Sequence, residues 1–424
     1  MSFHGKIKPI PTAAFTGFVF WLVAFPMSGD LLPSSINLLW FLLPHIGTLL
    51  FLGHLTKPRW FDGITSTGIW LTIVLTFVFP LMADAAEPLL VLLGVTAAPL
   101  SVRAGIGLKS TPSFRAAALV GLVGGNLLAI LLVKSPLEHT VRFILIGISL
   151  LPALFTPYKP EMLRGDTPGF FHYIGFVFAF QLVSGLMYGY LFPAYAEHGI
   201  WQGGELLFYM AGAALALKVL GYSRDLTLAA GVMLAMFAFL LLVAGNNPVI
   251  LNLSMFAMMT AAGVIDLFLV AFVLSFDNTA RAYGYGMVVL CGGIAAGRIL
   301  SAAVGEAGNM IGFLGSMFLN IAVLALFFLE YWRRKKNIQI SVTDTTSSGR
   351  ITELPPWLAM VLSEREKTVL QGVLDNKIYK DIADGMGISE SSVKTYMNRI
   401  YFKSGIVGKK RLISRLCKSE YGSR

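Results

Sequence analysis

For most of the chain, apolar positions neither alternate with polar ones nor recur at helical spacing. They run unbroken for about twenty residues, stop at a short polar or Gly/Pro-containing break, and resume. Twelve such runs stand at 12–30, 36–55, 64–83, 88–107, 116–133, 139–157, 170–190, 204–221, 226–244, 249–275, 283–303 and 309–331. A hydrocarbon layer about 30 Å thick needs roughly 20 apolar residues of helix to cross it. Helices apolar on every side are membrane spans rather than core helices. The spacing therefore predicts a twelve-span bundle over 1–336. Lys6 and Lys8 precede the first run, which shows no small-residue cleavage site, so it reads as a retained span and not a removed signal.

After the last run the pattern changes twice. Residues 337–353 (NIQISVTDTTSSGRITE) are rich in Ser and Thr and lack periodicity, and Leu354-Pro355-Pro356-Trp357 marks a stiff entry to folded structure. The stretch 337–356 reads as a flexible linker, 357–424 as a folded module. Within it, apolar residues recur at helical spacing. A first helix is predicted over 363–374, with Ser363 as N-cap, Glu366 completing a capping box, and Leu362, Val369, Leu370 and Val373 as the apolar stripe. Asn376 suits the left-handed stop that follows. A short second helix over 378–385 would bury Ile378, Ile382 and Ala383, with the turn at Gly385–Ile388. A third begins at the N-cap Ser389, buries Val393, Met397 and Ile400, and ends at Ser404-Gly405. A fourth, about 409–418, carries Lys409, Lys410, Arg411, Ile413, Leu416 and Cys417.

Composition narrows the class. The 424 residues are 56% hydrophobic and 13% charged, whereas soluble domains carry about 25% charged residues. A soluble globular chain and a disordered one are both excluded. Cys291 and Cys417 are too far apart and too differently placed to suggest a disulfide framework or a Cys-based metal cage. Charge is divided unevenly: residues 1–332 hold 15 Lys+Arg and 14 Asp+Glu, and 333–424 hold 18 and 9. A near-neutral apolar body thus precedes a basic polar tail.

Loop charges orient the body. With the N-terminus inside, the inner segments collect Lys6, Lys8, Lys57, Arg59, Arg103, Lys109, Arg115, Lys159, Arg164, Lys218, Arg224 and Arg281, while the outer side gets only Lys134 and Arg142, with Arg298 inside span 11, and shows Asp84, Glu87, Glu197 and Glu306. An even number of spans returns the C-terminus inside at Arg333-Arg334-Lys335-Lys336. The expected placement is the inner (cytoplasmic) membrane of a bacterium, multi-pass, with both termini cytoplasmic.

Candidate chemistry within the body is sparse. Asp266 lies mid-span in VIDLFLV, and Arg298 lies in AAGRIL of the next span. Intramembrane ionisable groups are costly, so they face a cavity or a partner. Two readings stay open: a ligand or proton site between helices, or a structural Asp–Arg pair with Arg298 snorkelling outward. Asn126, Gln181, His45 and His54 are weaker candidates. The glycine groups Gly121, Gly124, Gly125 and Gly292, Gly293, Gly297 read as close helix crossings. No nucleophile–base set, phosphate loop or metal-ligand spacing is present, so no catalytic residue, cofactor or metal is expected.

Two resemblances sharpen the picture. Twelve spans, the midpoint loop 158–169 (YKPEMLRGDTPG), and the short basic loops GHLTKPRW (53–60) and LGYSRD (220–225) at equivalent places in the two halves resemble the major facilitator superfamily. Where that family usually carries an acid in the loop after span 2, this chain has Lys57 and Pro58, and Asp62 comes late. In the tail, LSEREKTVL (362–370), KDIA (380–383), GISESSVKTY (387–396) and RIYFKSGI (399–406) resemble the DNA-binding domain of LuxR-type (GerE-like) bacterial regulators. Tyr379, Ser392, Tyr396 and Ser404 depart from the usual residues of that pattern. The resemblance implies a helix-turn-helix whose third helix enters a DNA groove. Carried over by position, Lys394, Thr395 and Asn398 would face bases, beside the exposed Ser391. Lys380, Ser392, Arg399, Lys403 and Lys409 would serve the backbone or support. The fourth helix would assist dimerisation through Ile413 and Leu416.

The fold class expected is all-α: a 6+6 bundle followed by a four-helix module. The function expected is a one-component transcription regulator. Its body senses a small or lipophilic ligand or a membrane condition, and its tail binds double-stranded promoter DNA, as a homodimer at least on DNA, with RNA polymerase as a further candidate partner. The alternative is a transporter with an autoregulatory DNA-binding tail. A third reading takes the tail as a basic clamp on anionic lipid.

Overall fold

The computed structural model describes residues 7–27, 31–32, 36–55, 57–167, 169–189, 191–201, 203–245, 247–304, 310, 314–315, 317–325, 328, 358, 360–375, 377–404, 406, 412 and 416. The chain divides into two compact units, Met1–Phe327 and Phe328–Arg424. The predicted linker 337–356, with the Arg333–Lys336 cluster before it, lies outside the described residues.

The first unit is helical, with no strand among the described residues. Its helices are α1 (Pro9–Leu22), α2 (Leu39–Gly53), α3 (Pro58–Val78), α4 (Ala86–Gly107), α5 (Phe114–Lys134), α6 (His139–Ile148), α7 (Phe171–Gly189), α8 (Leu191–His198), α9 (Glu205–Val219), α10 (Arg224–Ala244), α11 (Pro248–Val273) and α12 (Thr279–Val304). Each of the first eleven predicted spans overlaps at least one of them, and the twelfth is described only in part, with helical residues at 317–325. Among the described residues seven helices are long and apolar enough to cross a bilayer, or eight when α7 and α8 count as one broken span. This is a polytopic membrane bundle.

Local chemistry explains where the boundaries depart from expectation. The third span starts at Pro58, not at 64, because proline's missing N–H costs nothing at the first helical position. The sixth loses its α-helix at Ile148, where Pro152 could neither donate to nor clear the carbonyl four residues back, and continues as a 3₁₀ turn over Leu151–Phe155. α10 and α11 start where side chains supply caps: Ser223 accepts from the Leu226 N–H, and Asn247 from the Ile250 N–H.

Glycine crossings hold the bundle. An added Cβ on Gly297 of α12 would lie 2.0 Å from the Leu182 carbonyl oxygen of α7, and one on Gly263 of α11 2.0 Å from the Tyr209 oxygen of α9. An added Cβ would lie 2.3 Å from Phe15 at Gly121, 2.6 Å from Val19 at Gly125, 3.1 Å from Thr16 at Gly124 and 2.6 Å from Gln181 at Gly293. Backbones approach this closely only without a side chain between them. Gly292 departs from expectation: a Cβ there meets nothing within 4 Å.

The two halves, α1–α6 and α7–α12, meet where α12 packs on α2 and α5 packs on α9 and α11. At one end, polar contacts bridge them as well. Lys109 donates to Thr279 Oγ1 at 2.8 Å and to the Phe276 carbonyl. Asn278 Nδ2 donates to the Gly165 carbonyl at 3.2 Å, Arg281 Nε to that of Gly53 at 3.3 Å, and Tyr285 Oη bonds His54 Nε2 at 3.1 Å.

The second unit is built on α13 (Glu364–Leu374), α14 (Tyr379–Met386) and α15 (Glu390–Ser404). Its core gathers Leu358, Leu362, Val369, Leu370, Val373, Ile382, Ala383, Val393, Met397, Ile400, Ile406, Leu412 and Leu416. Ile378 is 62% exposed and not part of it, because it caps α14 from outside rather than sitting on the helix's inner face. α14 runs one residue further than expected, and Gly387, with φ +65°, makes the left-handed stop. Ile388 N–H then returns to the Ala383 carbonyl at 3.0 Å. Asn376 and, in the predicted fourth helix, Lys409, Lys410, Arg411, Ile413 and Cys417 lie outside the described residues.

Candidate functional site

α15 owes its placement to two anchors. Its inner stripe, Val393, Met397 and Ile400, is almost completely buried. Its N-terminus is capped by Ser389, whose Oγ accepts from the Ser392 N–H at 3.2 Å and also bonds the Ser391 and Ser392 hydroxyls at 2.8 and 2.9 Å. What remains outward is Ser391, Lys394, Thr395, Asn398, Arg399 and Phe402. At positions i, i+4, i+7 and i+11, Ser391, Thr395, Asn398 and Phe402 share one face.

Partners within this face bias its chemistry. Lys394 Nζ lies 2.8 Å from Glu390 Oε1, one turn back, which raises the lysine pKa and lowers that of the glutamate. Lys394 therefore stays charged at any physiological pH. Thr395 donates its hydroxyl to the Ser391 carbonyl at 3.0 Å. Arg399 lies 5.8 Å over the Tyr396 ring. Lys380, at the start of α14, is exposed. Such side chains can reach base edges and neutralise phosphates.

Lys403 is engaged differently. It reaches to α13 and donates to Glu366 Oε2 at 2.7 Å. Glu366 is 2% exposed, and its carboxylate also accepts the Ser363 N–H at 2.8 Å, closing the capping box. Burial works to raise the Glu366 pKa, but the bonds from Lys403 and Ser363 outweigh it and hold the carboxyl below its ordinary value. Tyr396 and Tyr379 also act electrostatically on neighbouring helices. Tyr396 of α15 raises the pKa of Arg365 on α13, and the Tyr401 phenol of α15 is pushed up to about 12, mainly by burial and also by Tyr379 of α14. Sequence reasoning missed the Glu366–Lys403 bridge, because the partners are 37 positions apart. It also left out Phe402, which is 89% exposed.

In the membrane body Asp266, on α11, is held by two neighbouring helices. Gln181 of α7 donates to Oδ1 at 3.2 Å, and Tyr209 of α9 donates to Oδ2 at 2.9 Å. Gln181 was a weak sequence candidate; Tyr209 was not singled out, since a tyrosine in an apolar span carries no signal until its partner is known. Arg298 lies on α12, half-buried. Asn126 and His45 are buried and bonded to the Leu122 and Gly94 carbonyls, at 2.8 and 3.0 Å, as packing residues are. The late acid Asp62 bonds Arg103 at 2.7 Å across α3 and α4. That buried arginine also donates to the Thr156 carbonyl at 2.9 Å and lies 4.6 Å over the Tyr158 ring.

Residues 360–415 match the family described as "Bacterial regulatory proteins, luxR family". Among solved structures, the chain is similar to FucP, a Major Facilitator Superfamily transporter, in its outward conformation. Identity is 14% and TM-score 0.52, over 75% of this chain and 98% of that one. It is also similar to a single-substitution variant of the E. coli fucose:proton symporter FucP, at 14% identity and TM-score 0.53, over 76% and 99%. No curated protein matches the chain significantly. The chain therefore joins a membrane body with the fold of major facilitator superfamily transporters to a helix-turn-helix domain of the luxR type.

Proposed function

We propose that this protein is a membrane-embedded, one-component transcription regulator of the bacterial inner membrane, with both termini in the cytoplasm. The observation that carries this reading is the outward face of α15. A capped helix, anchored by its buried stripe, presents Ser391, Lys394, Thr395, Asn398 and Arg399 in one chain with a polytopic body. Lys394, Thr395 and Asn398 read bases; Lys380, Ser392 and Arg399 serve the phosphate backbone, Lys403 supports, and Lys409 joins the backbone contacts. Two half-sites on DNA call for two tails, so the protein acts as a homodimer there. RNA polymerase is the next partner in that scheme.

The body is the sensor. Asp266, with Gln181 and Tyr209, is the polar centre of the second half, and with Arg298 on the neighbouring span it is the candidate site for a small or lipophilic ligand. A ligand acts only through its differential affinity for two states of the body. The polar bridge between the halves at Lys109, Asn278 and Arg281 is an element that two such states would make and break. The role is binding and switching, with no catalytic step.

Genome-wide mapping of DNA bound to the intact protein, against a control lacking 357–424, tests the reading. Discrete promoter peaks that vanish with the tail are expected; coverage indistinguishable from the control would overturn it. The transporter-like body favours a second reading, a transporter whose tail regulates its own operon. That reading requires substrate flux that survives removal of the tail.

A further inference from the structure

The bonds made to Asp266 leave its charge unbalanced. Gln181 and Tyr209 are buried and neutral, and each spends a donor on one carboxylate oxygen. They fill two lone pairs without supplying a positive charge. Among the described residues no cation lies within ion-pair distance of this carboxylate. An ionised side chain within a span is costly unless it faces a partner or a cavity. A protonated carboxyl would instead need an acceptor for its proton, and both partners here present donors. The same two donors, with no group of three or more potential metal-ligating side chains among the described residues, make a poor cage for a metal ion.

The packing of α11 shows what Asp266 faces. Ile265 and Val264 press on Gly231 of α10, where an added Cβ would lie 2.6 and 3.2 Å from them, and Gly263 presses on the Tyr209 backbone of α9. Met259, Ala262 and Asp266, at i, i+3 and i+7, share the remaining face. It is turned away from α10 and toward α7, whose Gln181 reaches Asp266. All three residues are partly accessible, whereas every residue from Leu267 to Leu274 is buried. The accessible space therefore follows α11 from its N-terminal side and ends at Asp266, one carboxylate beneath apolar walls. We propose that it binds a lipophilic amine, whose ammonium group pairs with the Asp266 carboxylate and whose apolar body lies along Met259 and Ala262. The ammonium supplies the missing positive charge, and its N–H groups meet the lone pairs that Gln181 and Tyr209 leave open. This deepens the assignment of Asp266 as the sensing site and rests on it.

The test uses the full-length protein in phosphatidylcholine nanodiscs, with a series of radiolabelled primary amines from butylamine to dodecylamine as probes and the alcohols of equal length as competitors. Saturable amine binding is expected. The matching alcohol should bind about 10- to 150-fold more weakly, the worth of a hydrogen bond to a charged group. Asp266→Asn, which keeps the size of the side chain and removes its charge, should bring the amine down to the level of the alcohol. The amine-to-alcohol ratio of the unmodified protein decides the question even where the variant fails to fold. No saturable binding of any amine in the series, equal affinity for amine and alcohol, or amine preference that survives Asp266→Asn would each overturn the proposal. Promoter output is read in parallel. An effect of Asp266→Asn on output without amine binding to the unmodified protein, as a proton or a metal ion would give, overturns the amine and leaves the sensing site in place; the absence of both overturns the sensing site as well.

Discussion

The buried carboxylate of Glu366 joins three parts of the DNA-binding unit, and replacing it separates their contributions. Glu366→Gln keeps an acceptor for the Ser363 N–H, as glutamine serves in capping boxes, but removes the charge facing Lys403. Charge-assisted hydrogen bonds are worth about 1.5–3 kcal/mol. Lys403 is 35% exposed, so solvent screens the pair, and we expect a loss of about 1 kcal/mol. Glu366→Ala also removes the acceptor of the Ser363 N–H, while the Ser363 hydroxyl still caps the backbone N–H of residue 366; the lost bond adds about 0.5–1.5 kcal/mol, for a total of roughly 1.5–2.5 kcal/mol. The assay is urea unfolding of the 328–424 unit followed by circular dichroism. With a slope near 1 kcal/mol per molar, the midpoint should fall by about 1 M for the Gln variant and about 1.5–2.5 M for Ala. The pH dependence adds a sign. The folded-state pKa of Glu366 is lowered from an ordinary value of 4.5. Its contribution is therefore complete above that value and disappears as pH falls through the folded-state pKa. The gap between the parent and Glu366→Gln should close toward acid. A gap that stays constant from neutral pH to pH about 3 would refute the ionic part of the reasoning; a Gln variant as unstable as Ala would refute the division between cap and charge.

Lys394→Ala or Asn398→Ala should cost about 1–3 kcal/mol on a specific promoter and relax sequence preference, measured by competition against scrambled duplex; equal losses on both DNAs would remove these residues from base reading. Lys403→Ala should weaken binding to every sequence alike and also lower the urea midpoint, because Lys403 holds Glu366. Asp266→Asn should change the response of promoter output to the signal while leaving DNA affinity of the 328–424 unit untouched, and an unchanged dose response would take Asp266 out of the sensing site. Gly297→Leu should prevent α7 and α12 from packing and sharply lower the yield of folded protein in detergent, whereas Gly292→Leu, on open space one turn earlier, should be tolerated; size-exclusion profiles of the two variants make the comparison.

The sequence by itself determined the division of the chain and the character of both units. Unbroken apolar runs and a basic, periodic tail are local properties, and membrane insertion and helix formation respond to them locally. For the same reason the Ser363–Glu366 capping box, the Val393–Met397–Ile400 stripe and the outward set from Ser391 to Arg399 were legible, since each lies within one or a few turns of helix. Tertiary structure decided what depends on partners far along the chain. It brought Tyr209 and Gln181 to Asp266, tied Lys403 to Glu366, placed Arg103 against Asp62, and separated Gly297, pressed on a backbone, from Gly292, which faces open space. In a bundle where every face is apolar, periodicity cannot say which face meets which neighbour. Only the crossings of the helices, set by glycines and paired polar groups, make that choice.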